Sequence, residues 1–549
     1  MKYRVDTGKA WQNSVAMDED VTDLPDDVAS LRALVIAQRA AFSEKEKQLA
    51  SQIVEIKNQL IWEREKYLSL SARYFGSSSE KQKVIPGQGV FEFNEAEAHT
   101  GEGEKPVQVI AVAAHARKKR GRKPQSHDIE TVEIVHDLTE EEKRCACCGE
   151  LRPEMGAETS VKYELIPAHV VRRLHIRKQY GKCHCEGFSE SGQKSVIVAP
   201  GVAKIVPKSE FSNQTIAFFM IGKYEDSVPF YRMVKILERS GLEVSRGTLC
   251  NLAIRVGRAI EDLIDRMWQD VRKSSVILMD ETTVQVLHEM NRPAESQSYM
   301  WLTCGYEKGQ KIILFHYYPT RKKLVAENAL EGFSGYLQTD GYEGYTAVGE
   351  QNGITHVGCF APIGRAFVDA QKVGGPGGKA DEMLSLIAKV YAIERRLRER
   401  YEKQELGAVA FIEKRKRELE PVFTDIRLWL SRMSLSVAPS TKLGEAISYA
   451  QGQIEKAVRF VEHELMTPDT NRAENAIRPF VVGRKNWEFC NTPLGAHASA
   501  GIYSLIETAK ANGHDPYKYL CYLFDELPKA DAREDKLKLL PYQLKPSAY

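Results

Sequence analysis

The sequence predicts a multidomain α+β protein with an N-terminal coiled-coil helix, a zinc-binding module, a helix-turn-helix and an α/β domain. Three observations predict this fold class. Apolar residues recur at helical steps of three and four near the N-terminus, four cysteines form two close pairs, and the hydrophobic period becomes strand-like after residue 275. At about 150 residues per domain, the 549 residues suggest three or four units.

The composition is typical of a soluble globular protein, with 43% hydrophobic and 28% charged residues. The net charge is +2, so the whole-chain balance indicates no particular partner. No apolar run reaches about 18 residues, the length of a membrane span, and the N-terminus lacks the apolar core of a secretory signal. The ten cysteines show no disulfide-scaffold pattern, which favours a reducing compartment. We therefore expect no membrane partner.

Residues 28–75 are predicted to form one long coiled-coil helix. The apolar register slips once, between Leu49 and Ile53, and polar residues interrupt the seam at three positions. Such a seam is typical of a helix that joins copies of the same chain, and a helix packed on its own chain is the alternative. The apolar seam residues are Val28, Leu31, Val35, Phe42, Leu49, Ile53, Ile56, Leu60, Tyr67 and Leu70.

Residues 1–27 are predicted to form a tail, and residues 76–130 a polar linker. Within the linker, "RKKRGRKP" at 117–124 has six basic residues in eight. Its core resembles an AT-hook, a basic element that lies in a narrow minor groove, and a solvated tail or localisation signal is the alternative. The candidate DNA contacts are Lys118, Lys119, Arg120, Arg122 and Lys123.

Residues 131–205 are predicted to form a zinc-finger-like module. "CACCGE" supplies Cys145 and Cys148, and "GKCHCEG" supplies Cys183 and Cys185. Zinc takes four such ligands in a tetrahedron, which leaves no open position, so this zinc would be structural. Unmetallated thiols are the alternative, because C-x-C is tighter than the usual C-x-x-C.

Residues 206–270 are predicted to be helical and to include a helix-turn-helix. Gly241 breaks a first amphipathic helix, and Ser245 can cap a second one whose first turn carries Arg246 and Thr248. The second helix of such a pair can enter the major groove of DNA. A plain helical hairpin is the alternative.

Residues 271–380 are predicted to contain several strands. "SSVILMDETTVQVL" predicts a strand ending in Asp280, and "SYMWLTCGY" and "KIILFHYYP" predict two more. A helical stretch at 321–331 follows, then a fourth strand ending in Asp340, and "HVGCFAP" is a candidate fifth strand. If the first and fourth strands are neighbours, Asp280 and Asp340 converge.

Glu474 is a third candidate acid, on a short helix that we expect Pro479 to close. Three carboxylates supply the hard oxygen ligands that suit Mg²⁺ or Mn²⁺. Two such ions can activate water and stabilise a leaving oxygen at a phosphodiester. A turn aspartate or salt-bridged surface glutamate is the alternative for each acid alone. The basic residues that would neutralise phosphates near Glu474 are Arg472, Arg478, Arg484 and Lys485.

Several motifs, taken together and in order, resemble the transposases of the insertion sequence 66 family. The resemblance extends from about residue 60 to residue 525. The stretches that carry it are "FGSSSEK", "RGRKP", "CACCGE", "GKYEDSVPFYRM", "LEVSRGTL", "MDETTVQVL", "LQTDGYEGY", "VYAIERRLRER", "NRAENAIRPFVVGRKNWEFC" and "YSLIETAKANGHDPYKYL".

The resemblance implies a DDE transposase whose catalytic domain is ribonuclease-H-like. The family's two aspartates fall on Asp280 and Asp340, and its glutamate falls on Glu474. A helical insertion, residues 381–465, separates the second aspartate from the glutamate, and residues 466–549 complete the catalytic domain. The family's zinc-finger cysteines fall on Cys145, Cys148 and Cys185, with Cys183 one place off the usual spacing.

The resemblance also implies the partners and cofactors. The protein would bind the terminal inverted repeats of its element and a target DNA, and would cleave and join strands with two Mg²⁺ ions. A homo-oligomer would hold two element ends together, and accessory proteins of the same element are possible partners. The implied location is the bacterial cytoplasm, with nucleoid association when the protein is bound to DNA.

One stretch departs from the family pattern. "CFAPIGRAF", residues 359–367, stands where the family has a basic helix, and Arg365 is the one arginine that remains. Pro362 and Gly364 are expected to weaken this helix. Two alternatives to the transposase follow: a DNA-binding remnant that cannot react, and a metal-dependent nuclease that cuts without joining.

Overall fold

The computed structural model describes most of the C-terminal two thirds of the chain and a helix near the N-terminus. Contacts divide the chain into two units, residues 1–91, 177–238 and 243–549 in the first, and residues 92–176 and 239–242 in the second. The basic segment and the four predicted zinc ligands lie outside the described residues. The described residues are 27–75, 147, 150, 169–181, 196–349, 351, 353–375 and 377–546.

The predicted N-terminal helix is confirmed as α1, Val28–Phe75. Asp27 begins it by accepting hydrogen bonds from the backbone N–H groups of Ala29 and Ser30, at 2.9 and 2.8 Å. The predicted seam lies open over the part whose side chains are described, so this part of the helix does not bury the seam on its own chain. The exposed seam residues are Val28, Val35, Phe42, Leu49, Ile53, Ile56 and Leu60.

Two short strands, β1 (Gln179–Tyr180) and β2 (Ile197–Val198), pair antiparallel. Gln179 lies opposite Val198, and Tyr180 lies opposite Ile197. Residues 182–195, which lie between these strands in the sequence and contain two of the predicted zinc ligands, are outside the described residues.

Four helices precede the main sheet: α2 (Asn213–Tyr224), α3 (Phe230–Arg239), α4 (Arg246–Ala259) and α5 (Glu261–Val271). The predicted turn between α3 and α4 has the expected chemistry. Gly241 adopts a φ of 80°, in the left-handed region that glycine tolerates. Ser245 caps α4 by accepting a hydrogen bond from the Thr248 N–H at 3.0 Å.

The main sheet has six strands, and its order is β5-β4-β3-β6-β7 with β8 also beside β3. β3 pairs antiparallel with β4 and parallel with β6, and β6 pairs parallel with β7. The first and fourth predicted strands, β3 and β6, are therefore neighbours. The strands are β3 (Val276–Val286), β4 (Gln297–Glu307), β5 (Gln310–Tyr318), β6 (Gly335–Gln338), β7 (Ile354–Val357) and β8 (Phe489–Cys490).

β3 is longer than the sequence predicted. It continues to Val286 instead of ending at Asp280, because β4 pairs with it from Val276 as far as Gln285. Its parallel partner β6 stops opposite Leu278. Asp280 therefore lies in mid-strand, just beyond the point where one neighbour ends.

Helices cover both faces of this sheet. On one face, α6 (Lys323–Ala329) and α7 (Thr346–Gly349) enclose an apolar core around Trp301. On the other face lie α12 (Asn471–Trp487) and α13 (Pro493–Ala511). The core residues beneath α6 and α7 are Ile277, Met279, Trp301, Val325, Ala326, Ala329, Leu330, Phe333, Leu337, Tyr345 and Val348.

α13 also covers the edge of the sheet and supports α4. Side chains of Ser504 and Thr508 accept hydrogen bonds from the β5 N–H groups of Phe315 and Ile313, at 2.8 and 3.0 Å. The same helix packs closely on α4, because a Cβ added at Gly257 would lie 2.6 Å from the Ala498 Cβ. The second helix of the predicted pair is thus docked on the sheet domain.

The predicted insertion, residues 381–465, is helical. It consists of α9 (Lys379–Glu402), α10 (Ala408–Ser434), α11 (Lys442–Ala457) and a 3-10 turn, Val458–Glu462. The C-terminal region ends in α14 (Pro516–Glu526) and α15 (Arg533–Leu537). None of the helices in the described part of the chain is long and apolar enough to cross a membrane.

One expectation about proline was wrong, and a helix forms across a second stretch that contains proline. α12 does not end at Pro479 but continues to Trp487, because its buried face, which includes Phe480 and Gly483, holds the later turns against the sheet. A regular helix α8, Phe360–Gly374, also forms across the predicted weak stretch. Pro362 lies in its first turn, where a backbone N–H would have no helical partner.

Candidate active site

The strand pairing places Asp280 and Asp340 side by side. Leu278 of β3 lies opposite Gln338, the last residue of the parallel strand β6. Asp280 lies two residues after Leu278, and Asp340 lies two residues after Gln338. Neighbouring parallel strands lie about 4.8 Å apart, so both carboxylates start from adjacent backbone positions at the same end of the sheet.

Glu474 reaches this end of the sheet from the first turn of α12, which packs on β3 and β4. The segment before α12 is anchored near both aspartates. The Gln338 side chain donates a hydrogen bond to the Thr467 carbonyl at 2.6 Å, and the Phe360 N–H donates to the Pro468 carbonyl at 2.9 Å. The structure therefore brings the three predicted acids to one region, from a central strand, its parallel neighbour and a helix above them.

The charges of the three acids influence one another. Burial, followed by the neighbouring charges of Glu281, Asp340 and Glu474, raises the pKa of Asp280 to about 8. Burial also raises the pKa of Glu474, and the charge of Asp340 adds to that rise, while Arg365 opposes it. Burial and mutual repulsion thus disfavour the charged form of Asp280 and of Glu474.

In this structure each acid accepts a bond or ion pair from the protein. Asp280 Oδ1 accepts from the next backbone N–H at 2.8 Å, and Asp340 Oδ1 accepts from the N–H two residues on at 3.0 Å. Glu474 Oε1 lies 3.7 Å from an Arg365 guanidinium nitrogen. Among the residues that the structure describes, no three His, Cys, Asp or Glu side chains are grouped so as to hold a metal ion as they stand.

The basic residues near Glu474 have different roles. Arg478, one helical turn further along, is close enough for its charge to lower the pKa of Glu474. Arg472 is buried and lies 4.2 Å from the centre of the Tyr306 ring. Lys485 is exposed at the last turn of α12.

Arg484 was predicted to contact DNA, but the structure places it against the sheet. It donates hydrogen bonds of 2.9 Å to the hydroxyl groups of both Thr282 and Thr283, and a further bond to the Thr283 carbonyl. The Arg484 side chain therefore links α12 to β3 at Thr282 and Thr283, which follow Asp280 by two and three residues.

Arg365 lies on α8 and is half exposed, with 51% of its side chain open to solvent. Arg365 pairs with Glu474, and its positive charge opposes the rise in the pKa of Tyr449, so it lies near both side chains. Tyr449, from α11 of the insertion, closes over the residue after Asp340, because a Cβ added at Gly341 would collide with its hydroxyl oxygen.

A second polar network, which the sequence did not predict, lies on the opposite face of β3. Successive strand residues point to opposite faces, so Glu281 faces away from Asp280 and into the apolar core. Its carboxylate accepts a hydrogen bond from Arg321 Nε at 2.6 Å and another from the Tyr345 hydroxyl. The signal was present, because Glu281 lies in "MDET" and Tyr345 in "TDGYEGY".

The same network reaches Asp340. The Arg321 guanidinium stacks 3.7 Å from the centre of the Tyr342 ring, and the Tyr342 hydroxyl donates to the Arg321 carbonyl at 2.7 Å. The Tyr342 N–H is the group that donates to Asp340. Arg321 thus links the loop that carries Asp340 to the strand that carries Asp280.

The other predicted DNA contacts are only partly placed by the structure. Arg246 and Thr248 are exposed in the first turn of α4. Cys147 is exposed, and the four predicted zinc ligands around it and beyond lie in undescribed segments. The basic residues of the linker likewise fall outside the described ranges, so these predictions stay predictions.

Comparison with known protein families gives three matches. The model of the Transposase IS66 family matches residues 208–498, which is more than half of the chain. The model of the IS66 C-terminal element matches residues 504–542. A model described as Transposase C of IS166 homeodomain matches residues 64–134, which begin within α1.

Curated relatives are similar over most of their length. Uncharacterized protein y4qI of Sinorhizobium fredii is 25% identical over 551 residues, covering 96% of this chain and 99% of that protein. Uncharacterized protein y4jD of the same organism is 26% identical over 419 residues, covering 74% of this chain and 79% of that protein. No solved structure matches the chain. The family matches confirm the resemblance drawn from the motifs, and the chain belongs to the Transposase IS66 family.

Proposed function

We propose that this protein is a DNA transposase that binds the terminal inverted repeats of an insertion sequence and catalyses metal-dependent cleavage and strand transfer. Membership of the Transposase IS66 family supports a transposase role. The observation that carries the proposed site is the register of β3 and β6, in which Leu278 lies opposite Gln338, two residues before Asp280 and Asp340 respectively. Glu474, on α12, is the third acid.

The strand order supports a ribonuclease-H-like catalytic domain. Three antiparallel strands, β3 to β5, are followed by β6 and β7, which lie on the far side of β3 and run parallel to it. In this arrangement the first strand is central, and its neighbour β6 ends where the acids lie. The helical insertion comes between β7 and the helix that carries the third acid.

The donor chemistry fits a hard divalent cation. All three candidate ligands are carboxylates, which suit Mg²⁺ or Mn²⁺, and burial together with the neighbouring acids raises the pKa of Asp280. We propose that Asp280, Asp340 and Glu474 hold the metal after Arg365 leaves Glu474. When bound, the metal supplies activation of a water or 3′-hydroxyl and stabilisation of the leaving oxygen.

The chain's own cations would handle the DNA. Arg365 is exposed beside Glu474, and Arg478 lies one turn along α12, so both are placed to meet phosphates brought to the acids. Arg246 and Thr248 on α4, with the linker's basic segment, are proposed to contact the element ends. The zinc module is proposed to be structural.

The open seam of α1 supports a homo-oligomer. Seven apolar seam residues are exposed along one helix, and a second copy of the same helix would bury them in a coiled coil. Pairing of subunits would hold two element ends together, while accessory proteins of the element are a further proposed requirement.

A strand-transfer assay tests the proposal. Purified protein is incubated with Mg²⁺, a plasmid target and a labelled linear DNA that carries the inverted repeat flanking this gene in its genome. We expect a joined product with wild type and none with Asp280→Asn or Glu474→Gln. Asp425→Asn, which changes an exposed aspartate in the insertion, is the matched control and should join at the wild-type rate.

The other outcomes separate the alternatives. Cleavage without joining, lost in Asp280→Asn, would indicate a nuclease. Binding of the end DNA with neither product would indicate an inactive copy or a missing accessory protein, and restoring the basic stretch at residues 362–366 would then separate these two. Joining that persists in Asp280→Asn would refute the assignment of the site.

A further inference from the structure

The segment between the insertion and α12 has no regular structure of its own. Residues 463–470 contain turns and bends between the 3-10 turn that ends at Glu462 and the start of α12 at Asn471. Its backbone carbonyls need donors from elsewhere, because a buried carbonyl without a partner is costly. Met466, in the middle of the segment, is fully buried.

Two arginines of the insertion supply donors to three of these carbonyls, those of His463, Glu464 and Met466. Arg398 of α9 donates to the Glu464 carbonyl at 3.1 Å and to the Met466 carbonyl at 2.6 Å. Arg415 of α10 donates to the His463 carbonyl at 3.1 Å and to the Met466 carbonyl at 3.1 Å. The Met466 carbonyl therefore accepts from both helices at once.

One carboxylate holds the two arginines together. Glu394 of α9 accepts from Arg398 Nε at 2.8 Å with one oxygen, and its other oxygen lies 2.9 Å from Arg415 Nε. Arg415 is completely buried, and the ring of Phe411 lies 4.7 Å from its guanidinium carbon and 5.1 Å from that of Arg398. Burial lowers the pKa of Arg415 to about 10, so it remains charged at neutral pH. The two arginines therefore share the Glu394 carboxylate as well as the Met466 carbonyl.

The segment they grip leads directly to Glu474. After Met466, the Thr467 carbonyl accepts from Gln338, which is two residues before Asp340. Glu474 follows in the first turn of α12, where its N–H donates to the Thr470 carbonyl at 3.1 Å. A shift of Met466 would therefore be passed along a short tether to the third acid.

We propose that Arg398 and Arg415, joined by Glu394, are positioning residues by which the helical insertion places Glu474 relative to the two aspartates. The inference rests on the proposed function for its catalytic consequence, although the contacts themselves do not depend on it. It gives the insertion a specific role, because α9 and α10 then set the position of a loop that lies 48 to 68 residues further along the chain.

The test compares two arginines on the same helix. Arg398→Gln removes the guanidinium group that bonds the Glu464 and Met466 carbonyls. Arg396→Gln removes the ion pair between Arg396 of α9 and Glu418 of α10, which does not touch residues 463–470. Arg398 is chosen over Arg415 because it is less buried, with 20% of its side chain exposed, so the variant is expected to fold. Arg398→Lys keeps the positive charge beside Glu394 and should give an intermediate effect.

The first readout is amide hydrogen exchange without DNA. We expect peptides covering residues 463–476 to exchange about tenfold faster in Arg398→Gln than in wild type or Arg396→Gln, with α10 unchanged. Unchanged exchange in this segment would overturn the proposal. An equal rise across α9, α10 and the segment would also overturn it, because the arginine would then serve only the fold of the insertion.

The second readout is strand transfer at saturating end DNA. We expect the rate to fall about 10- to 100-fold in Arg398→Gln, since a displacement near 1 Å at a reacting group costs about that much. The end-DNA concentration at half-maximal rate should stay within about twofold of wild type. Faster exchange with a wild-type rate would overturn the link to Glu474. A wild-type protein that forms no product counts against the proposed function alone, and exchange then decides the contacts.

Discussion

Asp280→Asn should stabilise the protein when no divalent metal is present. Burial and the surrounding acids raise the pKa of Asp280 to about 8, from an ordinary value of 3.8. Between these two values the native state holds a proton that the unfolded chain has released, so the free energy of unfolding falls as pH rises through this window. Asparagine keeps the shape and the hydrogen-bond acceptor but carries no charge.

The expected gain in stability follows from the size of the pKa shift at Asp280. At pH 7 the distance from the ordinary pKa is about 3 units, and at about 1.4 kcal/mol per unit the full cost is about 4 kcal/mol. Partial solvent access at Asp280 reduces this, so we expect a gain of roughly 1–3 kcal/mol in the variant. For a unit of this size that corresponds to a rise in Tm of about 2–6 °C.

Thermal unfolding of wild type and Asp280→Asn in EDTA, at pH 5, 7 and 8, measures this gain in stability. Asp425→Asn is the matched control. The advantage of Asp280→Asn should grow from pH 5 to pH 8, and the control should stay within about 0.5 kcal/mol of wild type. Added Mg²⁺ should raise the Tm of wild type more than that of Asp280→Asn. A variant less stable than wild type at pH 7, or an advantage independent of pH, would refute the reasoning.

Three further predictions concern other parts of the chain. Arg484→Met should lower the free energy of unfolding, measured in urea, by about 2–3 kcal/mol, because the variant loses the bonds from residue 484 to β3. Its affinity for end DNA in gel shifts should stay unchanged, and weaker DNA binding at wild-type stability would contradict this role for Arg484. Cys145→Ser should abolish the zinc found by elemental analysis, and zinc retained at the wild-type level would exclude Cys145 as a ligand. Leu49→Glu should dissociate the oligomer in sedimentation, because it places a charge in the exposed apolar seam of α1, whereas the control Glu55→Gln on the same helix should not. An unchanged oligomer in Leu49→Glu would show that the seam does not join subunits.

The sequence by itself located most elements of the sheet domain and the three acids. Strands such as β5 are recognisable as short apolar runs rich in β-branched and aromatic residues, and α1 by its period of three and four. These patterns are local, because they record which side of a strand or helix is buried. The turn at Gly241 and the cap at Ser245 were also readable, since each depends on the chemistry of a single residue.

Only the tertiary structure decided what the charged residues near the acids do. Arg484 was predicted to meet phosphate, and only the structure shows that it bonds α12 to Thr282 and Thr283 of β3, some 200 residues earlier in the chain. Pro479 was predicted to end a helix that burial carries on to Trp487. Glu281 was passed over, although its strand position turns it into the network with Arg321.

The physical reason is that these outcomes depend on partners distant in sequence. Gln338 and Thr467 are 129 residues apart and share a hydrogen bond that ties the third acid's segment to the second acid's strand. Hydrophobic period reports how much of a residue is buried but not against what, and an arginine has the same local pattern whether it faces a carbonyl, a carboxylate or solvent. The sequence alone therefore identified the candidate site residues, while packing of the insertion and α12 on the sheet decided what each of them contacts.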